Sequence, residues 1–511
     1  MDYDIIIIGT GAGGGTLAHS LAQNTDKKIL ILERGPFLKR ERENWDAKAV
    51  FVDGRYHADE TWINKDNHPF HPGIHYFVGG NTKVYGGALF RFRERDFEEI
   101  AHEGGLSPAW PISYHDLAPF YDQAEKLYHV HGQRGADPTE PPTEHPYPHP
   151  PVSHEPRIQE LFQDFQKQGL NPFPLPLGIL LDEEHPHKSA CIRCDAFDGF
   201  PCLVNGKADA HVICIDPLLN HPNVTLLTEA KVEKLLTNPS GDTITSVEVT
   251  RNGKPENYSA KTVVVSCGAI NSALLLLRSA NDKHPNGLAN RSGVVGRHYM
   301  CHNNSAFVAV STRPNPTKFQ KTFGINDFYF GAEDCPYPLG HIQMLGKSHA
   351  AMFEPDAPRI TPHIALDKLA KHAVDFWLTS EDLPDLNNHV FYDSQGRVHL
   401  HYTENNLTPH RQLQEKLKGL LKHIGCEPHL IPTTLYLGKK IPIAGTAHQS
   451  GTIRFGTDPT TSALDTHCKA HDLTNLYVVD SSFFPSSTAV NPALTIMANA
   501  LRIAHHLQNT P

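Results

Sequence analysis

No apolar run in this chain approaches the ~20 residues needed to cross a bilayer, so no membrane-spanning helix is expected. Positive charge is in deficit as well. Lys and Arg number 46 against 56 Asp and Glu, a net charge of −10, which offers no basic field for nucleic acid or an anionic membrane. Cysteine is sparse: nine residues, an odd number at irregular spacings in 511, argue for reduced thiols rather than a disulfide framework. A leader-like stretch is missing too, because a strand pattern begins at residue 2, and this predicts a cytoplasmic protein. The length exceeds the ~250–300 residues at which a single core stops growing, so two domains or more are expected.

What the chain does contain is concentrated at its start. The β-branched run Ile5 to Ile8 reads as a strand buried on both faces, and it leads into Gly9, Gly11 and Gly14 at GxGxxG spacing. Gly9 makes the tight turn, Gly11 lets the backbone approach a pyrophosphate, and Gly14 lets a helix opening near Ala12 pack on the strand with its N-terminus toward the phosphates. Ile29 to Leu32 is the second strand. Glu33, followed by Arg34, stands where a carboxylate accepts from a ribose hydroxyl in such βαβ units. The fold class is therefore α/β, α+β overall, with a Rossmann-like nucleotide-binding domain.

Further along, Val78 to Phe97 crowds glycines (Gly79, Gly80) with Asn81 and Thr82, a sign of backbone approaching something closely. Ser113 is placed to cap a helix with Leu117, Phe120, Tyr121, Ala124 and Leu127 at helical spacing. Residues 137–156 are too proline-rich for helix or central strand and read as an extended arm or lid. Cys191, Cys194 and Cys202 lie close in sequence and read either as structural thiols or as ligands of zinc or an iron-sulfur cluster. A second strand-to-glycine turn, Val263 to Ala269, extends the nucleotide-binding domain, which becomes discontinuous: residues 1–136, 203–300 and 445–511. Residues 157–202 and 301–444 form a substrate-binding domain on an antiparallel or mixed sheet, with one helix capped by Thr408, carrying Pro409 in its first turn and stopped by Gly425. Phe323 to Gly331 is a candidate substrate loop. His448 sits in a small-residue loop rather than on an apolar helix face, Asp480 ends a strand, and Asn491-Pro492 precedes a helix, where the Asn491 amide can cap or meet a ligand.

Taken together, GTGAGGG with Glu33, GGNTKVYGGAL, GAINSALLLLRSA, the histidine loop at His448 and VNPALT at Asn491 resemble the glucose-methanol-choline (GMC) oxidoreductase family, in family order across nearly the whole chain. Within it the chain is most like the pyranose 2-oxidases and bacterial glycoside 3-oxidases. The resemblance implies an FAD enzyme that oxidises a secondary hydroxyl, C2 or C3, of a sugar or glycoside, with His448 as base and Asn491 holding the same oxygen. It implies cofactor contacts from Asp480, Asn491, Pro492 and Thr495, with Val232 behind the adenine. Fungal pyranose oxidases attach flavin through a histidine where this chain has Val84, so non-covalent FAD is expected. The electron acceptor is oxygen, a quinone or a metal ion, and the oligomeric state stays open. Two alternatives remain: the catalytic subunit of an FAD/iron-sulfur dehydrogenase, and a lyase or scaffold with structural FAD.

Overall fold

The computed structural model describes residues 2–357, 361–423, 439–440, 445 and 448–509. At its centre a five-stranded parallel sheet runs in the order Val224–Leu227, Ile29–Leu32, Tyr3–Ile8, Ala260–Val265, Leu476–Val478. Ile5 to Ile8 and Ile29 to Leu32 are buried, as the unbroken aliphatic runs require of strands covered on both faces. Helix Ala12–Asn24 turns Leu17 and Leu21 inward, each burial stabilising the fold by about 2 kcal/mol. The long C-terminal helix Ala493–Asn509 packs on it and on helix Tyr114–Leu127, whose Ser113 cap accepts from the Asp116 backbone N–H. The sheet draws its strands from three separate stretches of chain, so the layer built on it is discontinuous in sequence.

A six-stranded antiparallel sheet forms the other half, in the order Lys439–Lys440, Asn303–Val310, Ala373–Ser380, His341–Met344, Phe323–Ile325, Phe173–Pro174. Helices Pro156–Lys167 and Leu407–Lys422 pack on one face through Leu161, Phe165, Leu413, Leu417 and Leu421. The latter helix starts at Leu407 after Asn406, which takes the left-handed conformation at φ 50°; Thr408 therefore lies inside the helix instead of capping it, and Gly425 lies outside the described residues. The two halves interleave: the strand Val398–His401 pairs in parallel with Trp62–Asn64, so residues 62–64, grouped by sequence with the nucleotide-binding segment, belong to a sheet shared with the second.

The proline-rich segment 137–156 is pinned at its start and middle. The Arg93 guanidinium binds Asp137, Arg134 lies 3.6 Å over the Tyr147 ring, and His149 stacks on His129 and His131. None of its residues lines the main cavity.

Candidate active site

A cavity of about 1080 Å³ runs between the two halves, at the upper end of the ~300–1,000 Å³ usual for small-molecule sites. One end is built by the glycine turn. A Cβ on Gly9 would sit 2.2 Å from the Ser266 carbonyl, and one on Gly14 2.1 Å from the Gly9 carbonyl, so these two positions are fixed by packing. At Gly11 a Cβ would meet nothing within 4 Å, because that position faces the cavity. Gly11 precedes Ala12–Asn24 without any side-chain cap, leaving amides at the helix N-terminus for an anionic ligand.

Glu33 is 5% exposed; its Oε2 accepts from the Thr10 N–H and hydroxyl at 3.1 and 2.6 Å, and its Oε1 accepts from the Gly35 N–H at 2.9 Å, leaving Oε1 a second acceptor position. Burial pushes its carboxyl up. Arg34, paired with Glu60 at 2.6 Å and lying 3.6 Å over the Tyr76 ring, continues the wall, as do Gly80, Asn81, Thr82, Val84, Val232 and Ala12. Gly79 lies behind it, at φ 96°, donating its N–H to the Thr10 hydroxyl.

His448 lines the other end, stacked at 11° on Trp377 with ring centroids 5.5 Å apart. Its tautomer follows from its neighbours. The buried His302 donates from Nε2 to the Ser487 carbonyl at 2.9 Å, so its Nδ1 is an acceptor; that atom lies 3.1 Å from His448 Nδ1. His448 therefore carries its proton on Nδ1, and its Nε2 keeps a lone pair. Burial, with the positive charge of Lys321 adding to it, holds His448 well below the ordinary histidine value, so the ring is neutral at pH 7.

His302 itself is held in a left-handed conformation (φ 64°) by Asp382, which accepts from the His302 and Cys301 N–H groups and from the hydroxyls of Ser487 and Tyr402. Asn491 faces the same cavity. Its Oδ1 accepts from Gln343 Nε2 at 3.0 Å, which leaves the Asn491 NH₂ as a donor.

Besides Gly79, a second expected contact lies off the cavity. Thr495 is fully buried with its hydroxyl 2.7 Å from Tyr121 OH and lies off the cavity, because the helix turns that position toward its packing partner. Asp480 does line the cavity, but Gly268 N–H and Ser272 OH occupy its Oδ2 and Ser482 N–H and OH its Oδ1, so it clasps the second glycine turn to the strand that follows. Pro492 lines the cavity beside Asn491. Phe323 to Gly331 supplies a buried strand and a turn that do not reach it.

Cys191, Cys194 and Cys202 are free thiols, and among the described residues no group of three or more His, Cys, Asp or Glu is placed to hold a metal ion. No helix among them is long and apolar enough to cross a membrane. His302, Trp377, Gln343, Lys321 and Asp198 escaped the sequence reading. They come from strands, or from loops fixed by distant contacts, where alternation shows that a residue is buried but not what it faces.

The glycine turn, the uncapped helix and Glu33 give one end of the cavity the form of a nucleotide cradle, and comparison with known proteins names the class. The chain belongs to the GMC oxidoreductase family: it matches the family's N-terminal part over residues 3–304 and its C-terminal part over residues 437–500. Among characterised relatives it is 31% identical to paromamine 6'-oxidase of Streptomyces fradiae, over 98% of this chain and 90% of that protein, and 30% identical to 6'''-hydroxyparomomycin C oxidase of Streptomyces lividus, over 99% and 92%. It is 25% identical to the fructose dehydrogenase large subunit of Gluconobacter japonicus, over 100% and 98%. The crystal structure of pyridoxine 4-oxidase from Mesorbium loti shares the fold, with a TM-score of 0.68 at 17% identity and full coverage of both chains. The protein is thus an oxidoreductase with FAD as its cofactor, and the bare Gly11, the uncapped helix and Glu33 fit that cofactor.

Proposed function

We propose that the protein oxidises a secondary hydroxyl, C2 or C3, of a sugar or glycoside to a ketone, with His448 as the base. The observation that carries this reading is the His302–His448 contact, which leaves a neutral imidazole with an open Nε2 lone pair in the cavity that holds the nucleotide cradle. Bound FAD supplies the hydride acceptor at its N5. His448 Nε2 takes the hydroxyl proton, and the Trp377 face stabilises the positive charge that develops on the ring. The Asn491 NH₂ donates to the same oxygen as it gains alkoxide character, in an orientation set by Gln343. An amide cannot act as a base, so the proton goes to His448 alone. Valine at position 84 gives no side-chain nucleophile for covalent attachment, which supports non-covalent FAD. Electrons then pass to oxygen, a quinone or a metal ion.

A second reading places the reaction at a primary hydroxyl, because two relatives are named for a 6' or 6''' position. The test is anaerobic mixing of the holoenzyme with glucose and with a glucoside blocked at its anomeric carbon, following the flavin absorbance and identifying the product. A ketone supports the proposal and its position separates C2 from C3; an aldehyde supports the second reading. An iron signal beside the flavin would favour the iron-sulfur subunit, and failure of every alcohol to bleach the flavin would favour a lyase or scaffold.

A further inference from the structure

The glycine stretch after Val78 has a feature that nucleotide binding does not use. Gly86 packs directly against an ion pair: a Cβ there would fall 1.7 Å from Asp198 Oδ1 and 2.2 Å from Lys321 Nζ. The pair itself is tight, 2.6 Å from Nζ to Oδ1, with Lys321 at 1% and Asp198 at 14% side-chain exposure. Asp198 comes from the loop between Cys194 and Cys202, Lys321 from the approach to the strand Phe323–Ile325, and both line the cavity with Trp377, His448 and Asn491. Asp198 Oδ2 accepts from the Gly346 N–H at 2.5 Å, which fixes the carboxylate plane. Lys321 gives one N–H to Asp198 and has two that no acceptor among the described residues takes.

A buried ion pair is poor value as a staple, since desolvation offsets most of its Coulombic gain. An ammonium with unused donors at a cavity wall calls for an oxygen ligand in the working state. Asp198 Oδ1 keeps one acceptor position beside the ammonium, so the two groups together present a donor and an acceptor side by side. A vicinal diol has the matching pattern. One hydroxyl oxygen accepts from Lys321, and the neighbouring hydroxyl donates to Asp198. The pair is neutral as a unit, so it gives no Coulombic advantage to an ammonium or a carboxylate on the sugar.

We propose that Lys321 and Asp198 form the subsite for a vicinal diol of an uncharged sugar, next to the hydroxyl that His448 deprotonates, and that Gly86 is glycine to make room for it. This rests on the sugar-oxidising reading above. The test compares wild-type holoenzyme with Lys321→Gln and Asp198→Asn, using glucose and its 2-deoxy and 3-deoxy analogues in anaerobic flavin reduction. Removal of a charged hydrogen bond predicts a loss of about 10- to 100-fold in kcat/KM with glucose, mostly in KM, and about two-fold or less with whichever deoxy sugar lacks the diol partner. The deoxy sugar that lacks the oxidised hydroxyl does not react, so the comparison is read on the other one: equal losses on glucose and on that sugar would overturn the proposal, since a staple acts on every substrate alike.

Two further readouts keep the question decidable. If the variants lose FAD or fail to fold, the wild type alone is compared on glucose, glucosamine and glucuronate. The proposal expects glucose to be preferred, and faster reduction by either charged sugar would overturn it. If no sugar reduces the wild type, the oxidation reading fails. Glucose binding is then followed by the absorbance shift of the oxidised flavin: weakening in Lys321→Gln supports the subsite, and equal or absent binding rejects it.

Discussion

At the nucleotide end of the cavity the chain offers mainly backbone: bare glycine, helix amides and one carboxylate on a short stretch from Gly9 to Glu33. At the reacting end it offers side chains, with His302, Trp377, Gln343, His448 and Asn491 converging from distant segments. The first end recognises a fixed, charged molecule by shape and amide dipoles. The second has to hold one imidazole in one tautomer, and only a network of neighbours can do that. Burial acts on both, pushing the acids Glu33 and Asp480 up and His448, with His302 behind it, down, so these four groups tend toward their neutral forms.

The largest expected effect separates fold from ligand within the glycine turn. Gly14→Ala drives a Cβ into the Gly9 carbonyl at 2.1 Å, so little folded holoenzyme should be recovered. Gly11→Ala meets no protein atom, so the apoprotein should melt at the wild-type temperature while FAD binds at least about ten-fold more weakly. Thermal melting of the apoprotein and FAD titration check the pair. Equal melting losses in both variants would erase the distinction drawn between packing and ligand glycines.

The next effect probes the reacting end. His448→Ala should slow flavin reduction by about 10²- to 10⁴-fold, the usual worth of a general base, with FAD retained. His302→Leu removes the acceptor for the His448 Nδ1–H together with the bond to the Ser487 carbonyl and should cost about ten-fold, while His302→Asn, which restores an acceptor, should recover part of that loss. Stopped-flow reduction across pH checks this. A purely structural role for His302 would make Leu and Asn equivalent and leave the pH profile unmoved.

These contrasts explain what was legible in the sequence. The nucleotide end could be read because its chemistry is local: turn, helix start and acid lie within one βαβ unit, and each glycine has a steric reason at its own position. Loop context and family resemblance singled out His448 and Asn491, and both line the cavity, but their partners could not be read. Trp377 sits in AVDFWLTS, Gln343 in HIQM and His302 just before the strand Asn303–Val310; for the first two, alternation gives burial without naming the facing residue, and all three are placed by pairing set far along the chain. Thr495 was misread for the complementary reason. Its motif marks a helix start at the cofactor, yet helical rotation carries that position round to Tyr121.

The smallest effect is a flatness. A base whose folded value lies below the ordinary ~6.5 is already neutral above that pH, so flavin reduction should change by no more than about two-fold between pH 6.5 and 8 and decline only under acid conditions. Stability should follow the same sign. His75, His154, His298 and His410 are pushed down to about 4, so the unfolded chain binds protons that the native state refuses between about pH 6.5 and 4. Their neutral burial contributes stability that is complete above 6.5 and is lost as pH falls through that window. Melting temperature against pH checks it, and a midpoint that stays level down to pH 4 would mean that these rings bind protons in the folded protein as readily as in the unfolded chain.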